Sequence, residues 1–499
     1  MSTRQRENDI HGYKIFTKRV GLNAIARTIF QFKGLIILPI LTKNLATSDY
    51  GIWTQILVTI LLLQPFVSLG LGNSAIRFLS SKNKREIGQG ILTVLSVTFV
   101  IGMIVTLVVF FSADLFARNL LKEASAIPAI RVGSILIILD ALISMALGSF
   151  RIFGQIKRYS IIMLLEAILE IVLIAVAVLS GYGLLGAIIS LLITKTVILL
   201  VILYFIISYA GFSFPDFSII RPYLAYGLPM MPTALFELII ASSDRYVIGF
   251  FMGAASVGIY GASYNIGSIT AMFMSFITYI LAPTIFKLFD KGEISEVRSY
   301  LSYSWKYVMM LAIPSVFGLS ILAGQLLSSL TTTEFISTGK FIVPLISLSM
   351  ILNVMYGILG LVVRLSRRTV IFAITLSVAA ALNLGLNVVL IPYWGVIAAA
   401  ITTIAAYALA AIIMYKQANR IVKFDMKPGF ILKSVLSSLL MTTVIWLINP
   451  VGMVNILLSV ALGVIIYFTI LFLLKGFNRN EVKFFYKLLK ETLVWTQTK

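Results

Sequence analysis

The sequence predicts an all-α integral membrane protein of fourteen transmembrane helices, built as two parallel six-helix repeats followed by two C-terminal helices. Three observations carry this. Of 499 residues, 60% are hydrophobic and only 12% are charged, at a mean hydropathy of +1.02; soluble domains carry about 25% charged residues. Apolar runs of about 20 residues, the length that crosses a bilayer, recur along the whole chain. Two short motifs also return at nearly one offset.

The runs place spans near 20–42, 52–72, 90–112, 131–153, 160–180, 184–208, 229–251, 263–286, 307–329, 341–363, 370–391, 394–415, 430–448 and 452–474. This divides the chain into a polar tail (1–19), a first unit (20–208), a linker (209–228), a second unit (229–415), a terminal hairpin (430–474) and a basic tail (475–499). The polar start, MSTRQRENDIHGYKIFTKRV, leads into a full span without a small-residue cleavage site, so no cleaved signal peptide is expected. In the last tail Val482, Phe485, Leu488, Leu489 and Leu493 stand at helical spacing among lysines, the pattern of an interfacial helix.

Of the 40 Lys and Arg, 30 fall in the two tails and the loops on their side, whereas Lys43, Arg118, Lys122, Arg131 and Lys340 fall opposite. The positive-inside rule then puts both termini in the cytoplasm. Orientation and contact with anionic lipid account for most of the net charge of +21, so it carries no argument for nucleic acid. No cysteine is present, and His11 in the tail is the single histidine. Disulfides and thiolate metal sites are excluded, little is left for histidine catalysis, and no metal or cofactor is expected.

The motif TSDYGIW, at the end of span one, carries Gly51, and AASVGIY, at the end of span seven, carries Gly258. Spans five and six meet at Tyr182-Gly183-Leu184, and spans eleven and twelve at Trp394-Gly395-Val396. Two distant matches at similar offsets argue for duplication. An even number of spans per copy gives both copies one orientation, the plan of parallel-repeat transporters.

Five cations, Arg27, Lys33, Lys195, Arg245 and Lys433, lie inside the spans. An ionisable group at such depth is a functional-site hypothesis, since each costs about 2.5–3.5 kcal/mol on the insertion scale. Arg27, Lys33, Arg245 and Lys195 are candidates to receive a phosphate or diphosphate, Arg as a fork and Lys as a point charge; Lys433, near a span end, can snorkel. Asp244 precedes Arg245, and adjacent helix positions point about 100° apart, so the two are not expected to neutralise each other within the helix. Glu166 and Glu170 share a helix face, where one is expected to be protonated or paired with Lys195. With Glu237, Asp244 and Asp140 they are candidates for coupling to H+ or Na+. Asn383 and Asn387 share a face of span eleven and are expected to make helix contacts, with Pro392 ending that span. Pro229 and Pro232 open span seven, and Pro314 lies in span nine, where prolines start or loosen helices.

The stretch YGLPMMPTALFELIIASSDRYVIGFFMGAASVGIYGASYNIG closely resembles the signature of bacterial polysaccharide-biosynthesis flippases of the Wzx type, in the multidrug/oligosaccharidyl-lipid/polysaccharide exporter superfamily. LNLGLNVVLIPYWGVIAAAITT at 382–403 and LPILTKNLATSDYGIW at 38–53 match two further hallmarks. Trp394 departs from the pattern, standing where many relatives carry a smaller or charged residue. The resemblance implies two six-helix lobes around a central cationic cavity, with the last two helices alongside. It also implies alternating access that carries undecaprenyl-diphosphate-linked oligosaccharide across the bacterial cytoplasmic membrane, toward O-antigen, capsule, exopolysaccharide or teichoic-type polymer. Arg27, Lys33 and Arg245 would sit on cavity-lining helices, and a polysaccharide polymerase and chain-length machinery would be partners. The rival readings are a drug/cation antiporter of the same superfamily and a membrane polysaccharide polymerase or ligase. The latter needs a sizeable external loop with catalytic Arg or His, which this chain lacks.

Overall fold

The computed structural model describes residues 29–366, 370–478 and 481, without the side chains of 273–281 and 283. In a bilayer every backbone polar group must find its partner within the chain, and a helix does this locally. Among the described residues all regular structure is accordingly helical. The first unit comprises α1 (Ile29–Thr42), α2 (Thr47–Ser68), α3 (Leu71–Leu79), α4 (Lys84–Phe111), α5 (Ala113–Leu115), α6 (Ala126–Ile152), α7 (Ile156–Leu179) and α8 (Gly183–Ala210). A short α9 (Ile220–Gly227) leads into the second unit, α10 (Met231–Met252), α11 (Ala254–Gly267), α12 (Ile269–Asp290), α13 (Ile294–Ile321), α14 (Ala323–Leu330), α15 (Thr333–Leu365), α16 (Val370–Trp394) and α17 (Val396–Ile421). The chain then forms the hairpin α18 (Pro428–Ile448) and α19 (Met453–Leu473).

Twelve helical stretches among the described residues are long and apolar enough to cross a membrane. With α1 as the described part of the first span, and α11 with α12 as the eighth, the fourteen-span plan stands. Its boundaries shift where polar turns belong to the helices. Span nine begins at Ile294 rather than near 307, because ISEVRSYLSYSWKYV is helical despite Glu296, Arg298 and Lys306. Helix α16 runs through Pro392 to Trp394 and stops at Gly395, whose φ of +65 favours glycine. Gly183 takes the equivalent place in the first unit, with φ +60.

Each unit has a core of its own, and a further core, with Tyr50 and Ile56 beside Ile266 and Phe335, is shared between them. In the second unit, Tyr260, Trp305, Ile346, Val362 and Met414 are buried together. The terminal hairpin covers α13 through Phe430, Met441 and Ile456, and Tyr467 Oη donates to the Met310 carbonyl at 2.9 Å.

The repeated motifs open helices α2 and α11 rather than closing the spans before them, and they meet. A Cβ on Gly51 would lie 1.8 Å from the Ala254 carbonyl oxygen, and one on Gly258 would lie 2.5 Å from that of Thr47. Only glycine admits two backbones so close. Helix α2 thus forms a seam between the units. At its Thr47 end Thr42 donates to the Leu330 carbonyl at 2.9 Å, and Thr47 donates to the Glu334 carboxylate. Farther along, Tyr246 donates to Thr59 at 2.8 Å and Asn265 to Tyr50 at 3.2 Å. Beyond its other end Gly70 abuts Gly227, where a Cβ would lie 2.4 Å from the Gly227 oxygen. Ser74 donates to the Tyr223 carbonyl there at 2.7 Å, and Arg77 stacks over Tyr226 at 4.7 Å.

Gly51→Ala and Gly258→Ala are each expected to destabilise the protein by about 1–3 kcal/mol, the usual range for overpacking. Gly148→Ala, whose Cβ finds nothing within 4 Å inside helix α6, is the control, with a melting temperature in detergent that does not fall.

Candidate functional site

In the first unit, four-residue spacing sets Glu166 and Glu170 of α7 on one face, and Lys195 of α8 fills the space before them. Its Nζ lies 2.6 Å from Glu166 Oε1, 2.7 Å from Asp140 Oδ1 of α6, and 3.2 Å from Glu170 Oε1. The other Glu170 oxygen accepts a hydrogen bond from Lys33 Nζ of α1, which also lies 4.0 Å from the centroid of the Phe30 ring. The sequence-predicted pairing of Lys195 with this acid pair is therefore present, and Asp140 and Lys33 join it. Two cations face three carboxylates, so the cluster carries one surplus negative charge when all are ionised. Its exposure is uneven: the side chains of Lys33 and Asp140 are 20% and 28% exposed, those of Glu166 and Glu170 3% each. The cluster is open at Lys33 and Asp140 and sealed behind them.

The second unit corrects the expectation that Asp244 and Arg245 leave each other unneutralised. Arg245 Nη1 lies 2.9 Å from Asp244 Oδ1 and donates to the Ala241 carbonyl at 2.5 Å. The 100° between adjacent positions separates the Cα–Cβ bonds, yet the arginine arm is long enough to fold back along the helix and close the gap. Tyr260 donates to Asp244 Oδ2 at 2.5 Å, and the guanidinium stacks 4.0 Å over the Tyr264 ring. Both side chains are buried, so Arg245 is held as half of a neutral pair. Its Nε is left without a hydrogen-bond partner. Glu237, two turns earlier on α10, is exposed and within electrostatic reach of Arg364.

Asn383 and Asn387 act as glue between helices: Asn387 donates to Asn383 at 3.2 Å, Thr402 to Asn387 at 2.5 Å, and Ser243 to Asn383 at 3.3 Å. Lys433 Nζ is exposed and donates to the Lys475 carbonyl at 3.1 Å, as a snorkelling lysine would. Arg27 and the amphipathic stretch beyond Glu481 lie outside the described residues.

One buried ion pair escaped the sequence reading. Lys306 of α13 lies 2.7 Å from Glu481 Oε2, joining span nine to the start of the C-terminal tail. Lys306 counts as a loop cation only while span nine is cut at 307. Val297, Leu301, Trp305 and Val308 continue the helical period through it, and that signal extends the helix to the residues that bury it.

Lys195→Met is expected to destabilise the protein by about 3–5 kcal/mol, because it strands buried carboxylates. Adding Glu166→Gln to it is expected to recover part of the loss, read as melting temperature in detergent.

A family model described as polysaccharide biosynthesis protein matches residues 16–289, more than half of the chain. The probable low-salt glycan biosynthesis flippase Agl15 of Haloferax volcanii is 22% identical over 273 residues, 54% of this chain and 58% of its own. The probable flippase AglR of the same organism is 30% identical over 263 residues, 50% of this chain and 53% of its own. The matches thus span a little over half the length of these relatives. Among solved structures, the lipid II flippase MurJ in an inward closed conformation superposes with a TM-score of 0.76 at 17% identity, covering 91% of this chain and 98% of that one. That likeness establishes a common fold. By the family match over residues 16–289, the chain belongs to the polysaccharide biosynthesis protein family.

Proposed function

We propose that the chain is a flippase that carries undecaprenyl-diphosphate-linked oligosaccharide from the cytoplasmic to the outer leaflet of a bacterial cytoplasmic membrane, with both termini in the cytoplasm. The observation that carries this is Lys33, a partly exposed cation within a span, on the helix whose far end touches the second lobe through Thr42. A lysine so placed meets the diphosphate as a point charge while the sugars enter the wet space between the lobes and the prenyl chain stays in lipid. Arg27, six residues earlier in the sequence, is a second candidate cation for the diphosphate. Lys195, held by Asp140, Glu166 and Glu170, and Arg245, paired with Asp244, are already met by carboxylates, which leaves the first contact with the diphosphate to Lys33. Family membership and the flippases named among the relatives support transport over polymerisation or ligation.

With the basic loops inward, the Thr47 end of α2 faces outward and the Gly70 end faces the cytoplasm. Parting of Gly70 from Gly227 then opens the inner side, and parting of Gly51 from Gly258 opens the outer side. Return of the empty carrier is driven by H+ or Na+ at the acids of the two lobes, Asp140, Glu166 and Glu170 in the first or Glu237 and Asp244 in the second. The coupling works through different affinities for the ion in the two states. A polymerase and chain-length machinery receive the exported units.

Deleting the protein is expected to leave a lipid-linked glycan on the cytoplasmic face. Lys33→Ala, at normal abundance in the membrane, is expected to reproduce at least a tenfold loss of export, the order of one charge-assisted contact. Absence of accumulation on deletion contradicts the flippase reading.

A further inference from the structure

We propose that a diphosphate arriving at Lys33 takes this lysine away from Glu170, that Glu170 turns wholly to Lys195, and that the cluster takes up one proton from water in response. The inference rests on the proposed head-group role of Lys33 and adds to it a link between substrate arrival and protonation.

The geometry prepares the exchange. Glu170 divides its two oxygens between the lysines: one accepts from Lys33, and Oε1 stands 3.2 Å from Lys195 without a directed hydrogen bond. A second berth is therefore already beside it. Lys33 is the more exposed of the two lysines, with 20% of its side chain accessible against 10% for Lys195. A ligand that enters from the opening meets Lys33 first. Lys195 remains behind, bound to Glu166 and Asp140.

Charge counting supplies the proton. At rest Lys33 and Lys195 face Asp140, Glu166 and Glu170, the groups that ion pairs join among the described residues of α1, α6, α7 and α8; Arg151 and Arg158 on the same helices lie instead over the Tyr159 and Phe205 rings. Once a diphosphate holds Lys33, Lys195 alone faces three carboxylates, and the surplus rises from one negative charge to two. The low dielectric around Glu166 and Glu170 makes that second charge far more costly than it would be in water. Uptake of one proton by a carboxylate restores the resting balance. Asp140, the most exposed of the three, is the point where water delivers it.

The test is calorimetry of farnesyl diphosphate binding to the full chain in nanodiscs, with farnesol as control. It is run in two buffers of different protonation enthalpy, at a pH where the diphosphate is itself fully ionised. The wild type is expected to take up about one proton per ligand. Glu170→Gln frees Lys33 in advance, so it is expected to bind roughly tenfold tighter, the order of one charge-assisted hydrogen bond that no longer has to be broken, with no proton uptake. Glu166→Gln starts from a balanced cluster but keeps the Lys33–Glu170 pair. It is expected to lose the proton uptake without binding more tightly, which separates the handover from a general effect of removing an acid. Binding by the wild type without proton uptake, or a Glu170→Gln variant that binds no tighter, overturns the handover alone. Absence of diphosphate-dependent binding, or binding unchanged in Lys33→Ala, overturns the head-group reading and the handover with it.

Discussion

A charge inside an apolar bundle must be met by an opposite charge, and the arrangement of both lobes follows from that requirement. The insertion cost of about 2.5–3.5 kcal/mol per ionised group would be prohibitive for the buried acids Glu166, Glu170 and Asp244 and the buried cations Lys195 and Arg245 if each stood alone. In the first lobe three helices therefore converge on Lys195, and in the second Asp244 and Arg245 close on one another with Tyr260 and Tyr264 around them. The two solutions differ in one respect. The second lobe balances its pair, while the first lobe keeps three acids against two lysines and leaves the imbalance beside its opening. That asymmetry gives the first lobe its chemistry.

The second constraint is how closely the lobes can meet. Helix α2 packs along α10 and α11 of the other lobe; near its start the contact is glycine on glycine, Gly51 with Gly258, and beyond its other end Gly70 meets Gly227 of the linker helix α9. Aromatic side chains flank these contacts, Tyr50 edge-on to Phe335 at one end and Phe78 against Tyr223 and Tyr226 at the other. A seam of this kind can part at one end while it stays joined at the other. The motif repeated in both units is the one that makes the Gly51–Gly258 contact, so the repeat builds the interface as well as the lobes.

Much of the fold was legible in the sequence because membrane helices announce themselves by length and apolarity, and because the glycine motifs recur. Boundaries were less legible. Ile294–Lys306 reads as loop by charge, although its apolar residues keep the helical period, and cutting there concealed the Lys306–Glu481 pair. At the candidate site, the shared face of Glu166 and Glu170 and their nearness to Lys195 followed from spacing. The inclusion of Asp140 and Lys33 did not, because contacts between α1, α6, α7 and α8 depend on packing that no local pattern encodes. For Asp244 and Arg245 the helical angle was right and the conclusion drawn from it was wrong. Cα directions do not limit a side chain as long as arginine's.

The central claim is that Lys33 serves a ligand and is more than one half of an ion pair with Glu170. Exchanging the two charges, Lys33→Glu with Glu170→Lys, tests it most directly, with melting temperature and export of lipid-linked glycan measured on the same protein. The account predicts that the exchange recovers much of the stability lost in Lys33→Glu alone, while export stays abolished because an acid now meets the diphosphate. Recovery of both stability and export would show that the pair is structural and would contradict the account.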